Sequence, residues 1–254
     1  MLEIMILLLA GLLAGIVTGL FGASAVIISA PILIIFLGFQ PYAAIGLSLA
    51  IDIFASLSAT LIYYKEKRIE IKPTLILLLF AIIFTLIGSW FSVFVPQSSM
   101  SIATGIAIAI IGLSLVLKQK KSFLTSKKFP FLHKNKTLSL ITLGSFIGII
   151  AGVFGAGGGM IILAALVLVL DYKIHNAIGT AVFLMIFIAL FGAAGHFYFI
   201  PFSFKSLAIA AIGGVIGAAI SSILANKLKE KTLNRLVGIL IILLGISLTI
   251  KNLI

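Results

Sequence analysis

Two glycine-rich stretches at matching places in the chain have the residue types needed to bind a small anion through the backbone. One is Gly22-Ala23-Ser24-Ala25-Val26 and the other is Gly155-Ala156-Gly157-Gly158-Gly159; we call them tip 1 and tip 2. Glycine allows positive φ and close approach of a ligand, and the first amides of a returning helix carry the positive end of its dipole. Ser24 adds a hydroxyl donor. The predicted anion contacts are Gly22, Ala23, Ser24, Gly155, Gly157, Gly158 and Gly159.

Asp52 is the candidate proton carrier, because it lies near the middle of a long apolar segment. A charge at that depth costs about 2.5–3.5 kcal/mol. Ser48, Ser56 and Thr60 lie at four-residue spacing around it and share its helix face. A bare carboxylate would repel an anion, so we expect Asp52 to be neutral during part of a working cycle. The alternative is a structural carboxyl bonded to a broken helix tip.

Three further polar residues are candidates for contacts with the anion near the tips. Ser48 and Thr180 are predicted to line the anion site with Asp52. His196 is a further candidate, and it matches Tyr63 in the other half of the chain; the alternative is an interfacial side chain without a functional role.

The residue inventory argues against enzyme chemistry. The chain has no cysteine, three histidines and six acidic residues, which leaves little for a metal site or a catalytic triad and excludes disulfides and thiolate ligands. No GxSxG, HExxH or P-loop motif occurs. We therefore predict no enzyme activity, no metal and no cofactor.

Composition identifies an integral membrane protein. Of the 254 residues, 62% are hydrophobic and 9% charged, with a mean hydropathy of +1.36, whereas about a quarter of a soluble domain is charged. The net charge of +12 is no nucleic-acid signal, because 15 of the 18 Lys and Arg residues lie in three short runs between apolar segments. Those runs, at 65–72, 118–136 and 227–235, are typical of cytoplasmic loops beside anionic lipid.

The chain is an internal duplication with an offset of 133 residues. Gly11, Gly15 and Gly19 return as Gly144, Gly148 and Gly152. We predict a first transmembrane repeat at 1–117, a basic cytoplasmic linker at 118–136 and a second repeat at 137–254. The apolar segments are 4–21, 24–37, 42–63, 74–95 and 101–117, then 138–154, 158–170, 174–199, 207–225 and 236–251.

The predicted fold is all-α, with two inverted repeats. The first two segments of each repeat are short and form a helical hairpin with its glycine tip near the midplane, and the other three span the membrane. If each hairpin returns to its starting side, 16 positive residues face the cytoplasm and two face outside. If each hairpin counts as one crossing, the division is 13 to five. The positive-inside rule favours the inverted arrangement. We call the glycines at four-residue spacing in the first helix of each hairpin the glycine ladder, namely Gly11, Gly15 and Gly19 with Gly144, Gly148 and Gly152. Close helix packing alone is an equally good explanation of their spacing.

The duplicated motifs carry a family resemblance. They are Gly15-x3-Gly19-x2-Gly22, Gly148-x3-Gly152-x2-Gly155-x-Gly157-Gly158-Gly159, Ala177-x-Gly179-Thr180 and Gly192-x2-Gly195-His196. The chain resembles the TauE/SafE sulfite exporter family of bacterial and archaeal membrane proteins over essentially its whole length. The resemblance implies transport of small sulfur-containing anions across the plasma membrane. Ala23-Ser24-Ala25 departs from the family pattern, which commonly has a glycine cluster there.

The sequence therefore predicts a proton-coupled secondary transporter of sulfite, sulfonate, thiosulfate or a similar oxyanion, working by alternating access. A passive anion channel and a membrane scaffold without transport remain alternatives. The predicted partners are a small inorganic or organic anion and the lipid bilayer, with a homodimer left open and no nucleic acid. The predicted location is the plasma membrane of a prokaryote.

Overall fold

In the computed structural model, the described residues are 1–96, 135–155, 158–199 and 203–225, together with positions 99, 102, 106 and 243. These ranges form eight α-helices, one 3-10 turn at Lys72–Thr74 and no strand. The helices are α1 Leu2–Phe21, α2 Val26–Leu37, α3 Pro41–Lys65, α4 Leu75–Ser92, α5 Lys136–Phe154, α6 Gly158–Val169, α7 Ile174–Phe199 and α8 Phe204–Ala225.

The all-α membrane architecture predicted from composition is confirmed. Within the described residues, six helices are long and apolar enough to cross a bilayer, namely α1, α3, α4, α5, α7 and α8. Helices α2 and α6 have 12 residues each, too few to span about 30 Å of hydrocarbon. The fifth segment of each repeat, at 101–117 and 236–251, and most of the linker lie outside the described residues.

The expectation that both helices of each hairpin are short is wrong for the first one. Helix α1 has 20 residues and α5 has 19, which is membrane-spanning length. Each begins earlier than its apolar run, α1 at Leu2 and α5 at Lys136. The amides of a first helical turn lack intrahelical partners in any case, so a polar or charged residue is tolerated there.

The glycine ladder packs helices of one repeat onto those of the other. A Cβ built at Gly11, Gly15 or Gly19 on α1 would clash with a backbone carbonyl of α8. The same holds for Gly144, Gly148 and Gly152 on α5 against carbonyls of α4. In lipid, helices gain no hydrophobic energy from each other, so close backbone approach is what drives association. Close packing is therefore the role of these six glycines in the structure.

In both repeats, the first helix of the hairpin packs on a helix of the other repeat. Helix α1 packs on α8 and its repeat equivalent α5 packs on α4, while α3 packs on its own equivalent α7. Helices α3 and α7 run antiparallel, since Gly46 lies beside His196 and Gly179 beside Tyr63. Each hairpin is therefore held mainly by a helix of the opposite repeat.

The ladder makes a stability prediction that can be measured in detergent. Gly148→Ala places a methyl group against the carbonyl of Ala81, and backbone cannot move aside as a flexible side chain can. We expect a loss of about 1–3 kcal/mol, read as a lower melting temperature. Ile149→Ala is the control, because the adjacent Ile149 is 43% exposed on the lipid-facing side. Equal melting temperatures for the two variants would contradict the packing role.

Candidate functional site

Both tips begin at a glycine whose backbone only glycine adopts cheaply. Gly22 ends α1 with φ 62° and Gly155 ends α5 with φ 64°, both in the left-handed region. The Gly22 amide bonds the Thr18 carbonyl, and the Gly155 amide bonds that of Ala151, each at 2.9 Å. The helices are thus broken at the two positions predicted from the sequence.

The two tips touch one another in the centre of the molecule. The Ser24 hydroxyl lies 3.1 Å from the carbonyl oxygen of Gly155. Gly159 packs so closely on the Gly22 carbonyl and on Ala23 that a Cβ there would clash. Gly157 lies outside the described residues. The structure therefore brings together six of the seven predicted tip residues, namely Gly22, Ala23, Ser24, Gly155, Gly158 and Gly159.

Asp52 is fully buried and bonded to tip 1. Its Oδ2 lies 2.7 Å from the Ser24 hydroxyl, and the Ala25 amide donates to the carboxyl as well. Its Oδ1 accepts from Ser56 at 3.1 Å and from Thr18 at 3.4 Å. The structural alternative raised from the sequence, a carboxyl bonded to a broken helix tip, is thus the geometry observed. Because Asp52 is the twelfth residue of the 25-residue α3, tip 1 lies at half the length of that helix.

Ser48 is placed on α3 between the two tips and has no hydrogen-bond partner among the described residues. It is fully buried. One turn away on the same face, Asp52 bonds tip 1; toward the other end of the helix, Ile45 packs against Gly155 of tip 2. A buried hydroxyl without a partner is costly. Ser48 therefore lies on α3 between the residue that bonds tip 1 and the residue that packs on tip 2.

The two tips differ in the residue that faces them from the long central helix. The repeat equivalent of Asp52 is Met185, whose sulfur lies near the position of a Cβ at Gly158. A thioether is only a weak acceptor. The amides that begin α6 therefore face no carboxylate from this position. Sequence reasoning missed Met185, although the 133-residue offset alone would have identified it.

The Thr180 hydroxyl is bonded to the α3–α4 loop rather than to a tip, although its neighbours Ile178 and Ala181 pack on Gly22. Its hydroxyl oxygen accepts from the Glu70 amide at 3.0 Å, and the Tyr172 hydroxyl donates to the Glu70 carbonyl at 3.1 Å. Asn176 donates to the Glu70 carboxylate. Burial, and secondarily Glu70, raises the pKa of Tyr172 to about 12, so its hydroxyl stays protonated and donating. These bonds place the α3–α4 loop and the α6–α7 connection on the same side of the bundle.

His196 is buried, 1% exposed, and the interfacial position suggested as its alternative stays a prediction. Its Nε2 lies 3.0 Å from the Gly152 carbonyl. Its repeat equivalent, Tyr63, donates to the Gly19 carbonyl at 2.7 Å. Both side chains therefore bond the last ladder glycine, and neither contacts a tip. Within the described ranges, no group of three His, Asp or Glu side chains converges as metal ligands would.

Apolar spans that enclose two touching, glycine-ended helix breaks define a multi-pass membrane protein. The sequence profile of the family described as "Sulfite exporter TauE/SafE" matches residues 7–248. The chain belongs to this family, which confirms the resemblance seen in the repeated motifs.

Named relatives are similar along most of their length. The protein named "Probable membrane transporter protein YunE" of Bacillus subtilis (strain 168) is 30% identical, covering 96% of each chain. "Probable membrane transporter protein YdhB" of the same organism is 29% identical, covering 76% of this chain and 78% of its own. A "Probable membrane transporter protein" of Xylella fastidiosa (strain Temecula1 / ATCC 700964) is 26% identical, covering 93% and 91%. No solved structure matches the chain significantly.

The bond from Tyr63 to the ladder predicts a specific loss of stability. Tyr63→Phe removes the 2.7 Å donor to the buried Gly19 carbonyl and leaves it the Ser222 hydroxyl at 3.4 Å, so we expect a loss of about 0.5–1.5 kcal/mol, the net value of one hydrogen bond. Tyr64→Phe is a matched control, because the neighbouring Tyr64 is 71% exposed. Thermal unfolding in detergent should separate the two variants. If they unfold at the same temperature, the Tyr63 bond contributes nothing to stability.

Proposed function

We propose that this protein is a secondary transporter that moves small sulfur-containing oxyanions, such as sulfite, sulfonates or thiosulfate, across the plasma membrane of a prokaryote. The substrate binds where the two tips meet, and a proton on Asp52 is coupled to its movement. Family membership supports the substrate class. The observation that carries the site is the buried, unpartnered hydroxyl of Ser48 beside the junction of two broken helices.

The junction has donors suited to an oxyanion. The Ser48 hydroxyl is fully buried there without a partner among the described residues, and the first amides of α6 carry the positive end of its dipole. Oxygens of a small oxyanion accept such bonds without a charged partner. The contact between Gly159 and Gly22 means that the tips must separate to admit a substrate, as alternating access requires.

Asp52 is suited to carry the proton because it is buried among neutral donors. Three hydroxyls and the Ala25 amide surround its carboxyl. Donors of this kind tolerate either protonation state, since hydroxyls can also accept a bond. A substrate anion nearby favours the neutral carboxyl through charge repulsion. Binding of anion and proton is therefore mutually favourable, which is the thermodynamic content of coupling.

Inverted repeats fit the observed packing. The equivalent helices α3 and α7 lie antiparallel, and the loop that contains Glu70 contacts Tyr172 beside Lys173. That contact supports a common side for the basic run 65–72 and Lys173, as the inverted arrangement requires. The positive-inside rule then places both in the cytoplasm.

Flux measurements in proteoliposomes test the proposed function. With the membrane potential clamped by potassium and valinomycin, one pH unit stores about 1.4 kcal/mol per proton, enough for about tenfold accumulation. We expect radiolabelled thiosulfate or a sulfonate to accumulate accordingly. These anions are preferable to sulfite, because acidified sulfite releases sulfur dioxide, which crosses lipid unaided. Asp52→Asn should reduce accumulation to the equilibrium level.

Liposomes without protein are the control for leakage. Proton-driven accumulation by Asp52→Asn at the wild-type level would show that Asp52 does not carry the coupled proton. Flux that no gradient drives uphill would identify a passive channel instead. The absence of flux for every sulfur oxyanion tried would refute the substrate class.

Ser48 and Thr60 allow a matched test of the binding site. Both are buried hydroxyls on α3 without a partner among the described residues, so removing either breaks no internal bond and should not lower the melting temperature. Ser48→Ala should raise the Michaelis constant for transport by about tenfold or more, the size of a hydrogen bond to a charged group. Thr60→Val, two turns beyond Asp52, should leave it unchanged. The same Michaelis constant for both variants would show that the substrate does not bind at Ser48.

A further inference from the structure

We propose that the Ser24 hydroxyl is a proton-operated link between the two tips: it bonds tip 2 when Asp52 is protonated and releases tip 2 when Asp52 is ionised. This inference rests on the proposed role of Asp52 as proton carrier and gives that proton a mechanical consequence. It makes Ser24 a positioning residue that acts through Gly155.

The Ser24 hydroxyl has one hydrogen but lies beside two acceptors. Its oxygen lies 2.7 Å from Asp52 Oδ2 and 3.1 Å from the Gly155 carbonyl oxygen. A carbonyl and an ionised carboxylate are both acceptors, and a serine hydroxyl has one hydrogen to donate. With Asp52 ionised, only one of these two contacts is a hydrogen bond. Both are hydrogen bonds only if the carboxyl contributes the second proton.

Protonated Asp52 gives a continuous chain of donors. The carboxyl O–H donates to the Ser24 oxygen, and the Ser24 O–H then donates to the Gly155 carbonyl. The other lone pair of Ser24 accepts from the Val26 amide at 3.4 Å, so the hydroxyl is fully used. Oδ1 still accepts from Ser56 and Thr18. In this state a hydrogen bond connects tip 1 to tip 2.

Ionised Asp52 breaks that connection. A charged acceptor attracts the hydroxyl hydrogen more strongly than a neutral carbonyl does, and charge-assisted bonds are about twice as strong. Ser24 therefore turns its hydrogen to Asp52 at the shorter distance, and the Gly155 carbonyl loses its donor. The tips then separate at lower cost, which lets an anion enter or leave the junction. The protonation that a bound anion favours restores the link and closes the tips again.

Among the described residues, the hydrogen-bond partners of Asp52 include no second titrating side chain that could act instead. From α1 and tip 1 it is faced by Thr18, Ser24 and Ala25, and from its own helix by Ser56. No described Lys, Arg or His forms an ion pair with it. The buried titratable side chains of the neighbouring spans have polar contacts elsewhere, namely Tyr42 with Gly195, Tyr63 with Gly19 and His196 with Gly152.

The duplication supports the pairing of these two residues. At the equivalent positions the second repeat has glycine at 157 and methionine at 185. The hydroxyl and the carboxyl thus occur together in the first repeat, and both are missing at the equivalent positions of the second. Such a link needs both groups, and a thioether has no proton to transfer.

Hydrogen exchange of the purified full-length protein tests the link without any transport assay. The infrared C=O band of the protonated Asp52 carboxyl is assigned by its absence in Asp52→Asn. Its loss with rising pH gives the pH range in which Asp52 ionises. Peptides containing Gly155 and Gly159 are then compared below and above that titration by their protection factors. In the wild type we expect protection to fall roughly two- to tenfold as Asp52 ionises, the size of one net hydrogen bond.

Four variants separate the link from a general structural effect. Ser24→Ala should show the low protection at both pH values, and Ser24→Thr should restore the pH dependence. Asp52→Asn should show the high protection at both, since its amide nitrogen donates to Ser24 while its oxygen faces Ser56 and Thr18. Ser29→Ala is the matched control, because Ser29 lies on α2 and bonds only the Ala25 carbonyl among the described residues; it should behave as wild type.

Wild-type pH dependence retained in Ser24→Ala would overturn the link. So would unchanged protection of the wild type across the titration, or an Asp52 band that does not titrate at all. Each of these results is compatible with oxyanion flux in proteoliposomes. Failure of the link is therefore distinguishable from failure of the proposed function.

Discussion

A broken helix end buried in a membrane must have its backbone groups satisfied by protein, and this constraint explains the position of Asp52. Water is not available in the hydrocarbon region, and each unsatisfied group there costs several kcal/mol. At tip 1 the carboxyl of Asp52 takes the Ala25 amide and the Ser24 hydroxyl, and Thr18 and Ser56 satisfy its second oxygen. A charged or acidic group is thereby stabilised at the depth where it is otherwise most costly.

The hairpins can bear this polar junction because they are held by close backbone packing. Helices α1 and α5 approach α8 and α4 so closely that their ladder glycines have no room for a Cβ. Two hydroxyls of α8 reach back to the ladder, from Ser221 to the Gly15 carbonyl at 3.3 Å and from Ser222 to the Gly19 carbonyl at 3.4 Å. Since each hairpin is seated on the opposite repeat, a rocking of one repeat against the other would move the two tips relative to each other.

The duplicated chain has built an asymmetric centre from equivalent elements. Tyr63 and His196 keep the same bond to the ladder in both halves, because that bond serves packing. Asp52 and Met185 have diverged, and so have Ser24 and Gly157. Equivalent positions thus stay alike where they support the fold and differ where the two tips meet. The carboxyl at this position of the central helix therefore occurs in one repeat only.

Sequence alone determined the features that depend on local pattern. Apolar runs fixed the spans, since the cost of exposing polar backbone to lipid leaves helices as the only option. The 133-residue offset identified the repeat. The consecutive glycines located the helix break at tip 2, and the offset then located the break at tip 1. The spacing of Ser48, Asp52 and Ser56 placed them on one face of α3. The start of α1 was misjudged, because helix ends depend on weak local signals.

Only the tertiary structure decided which of these residues meet. Ser24 contacts Asp52 across 28 positions and Gly155 across 131, and no local periodicity encodes pairs so far apart. The same packing draws Thr180 to the Glu70 amide and buries His196 against Gly152, although both had been grouped with the tips by sequence. Long-range contacts arise from how whole helices dock. In lipid that docking depends on backbone shape and hydrogen bonds rather than on hydrophobic pattern, so the sequence could name the polar residues without assigning their partners.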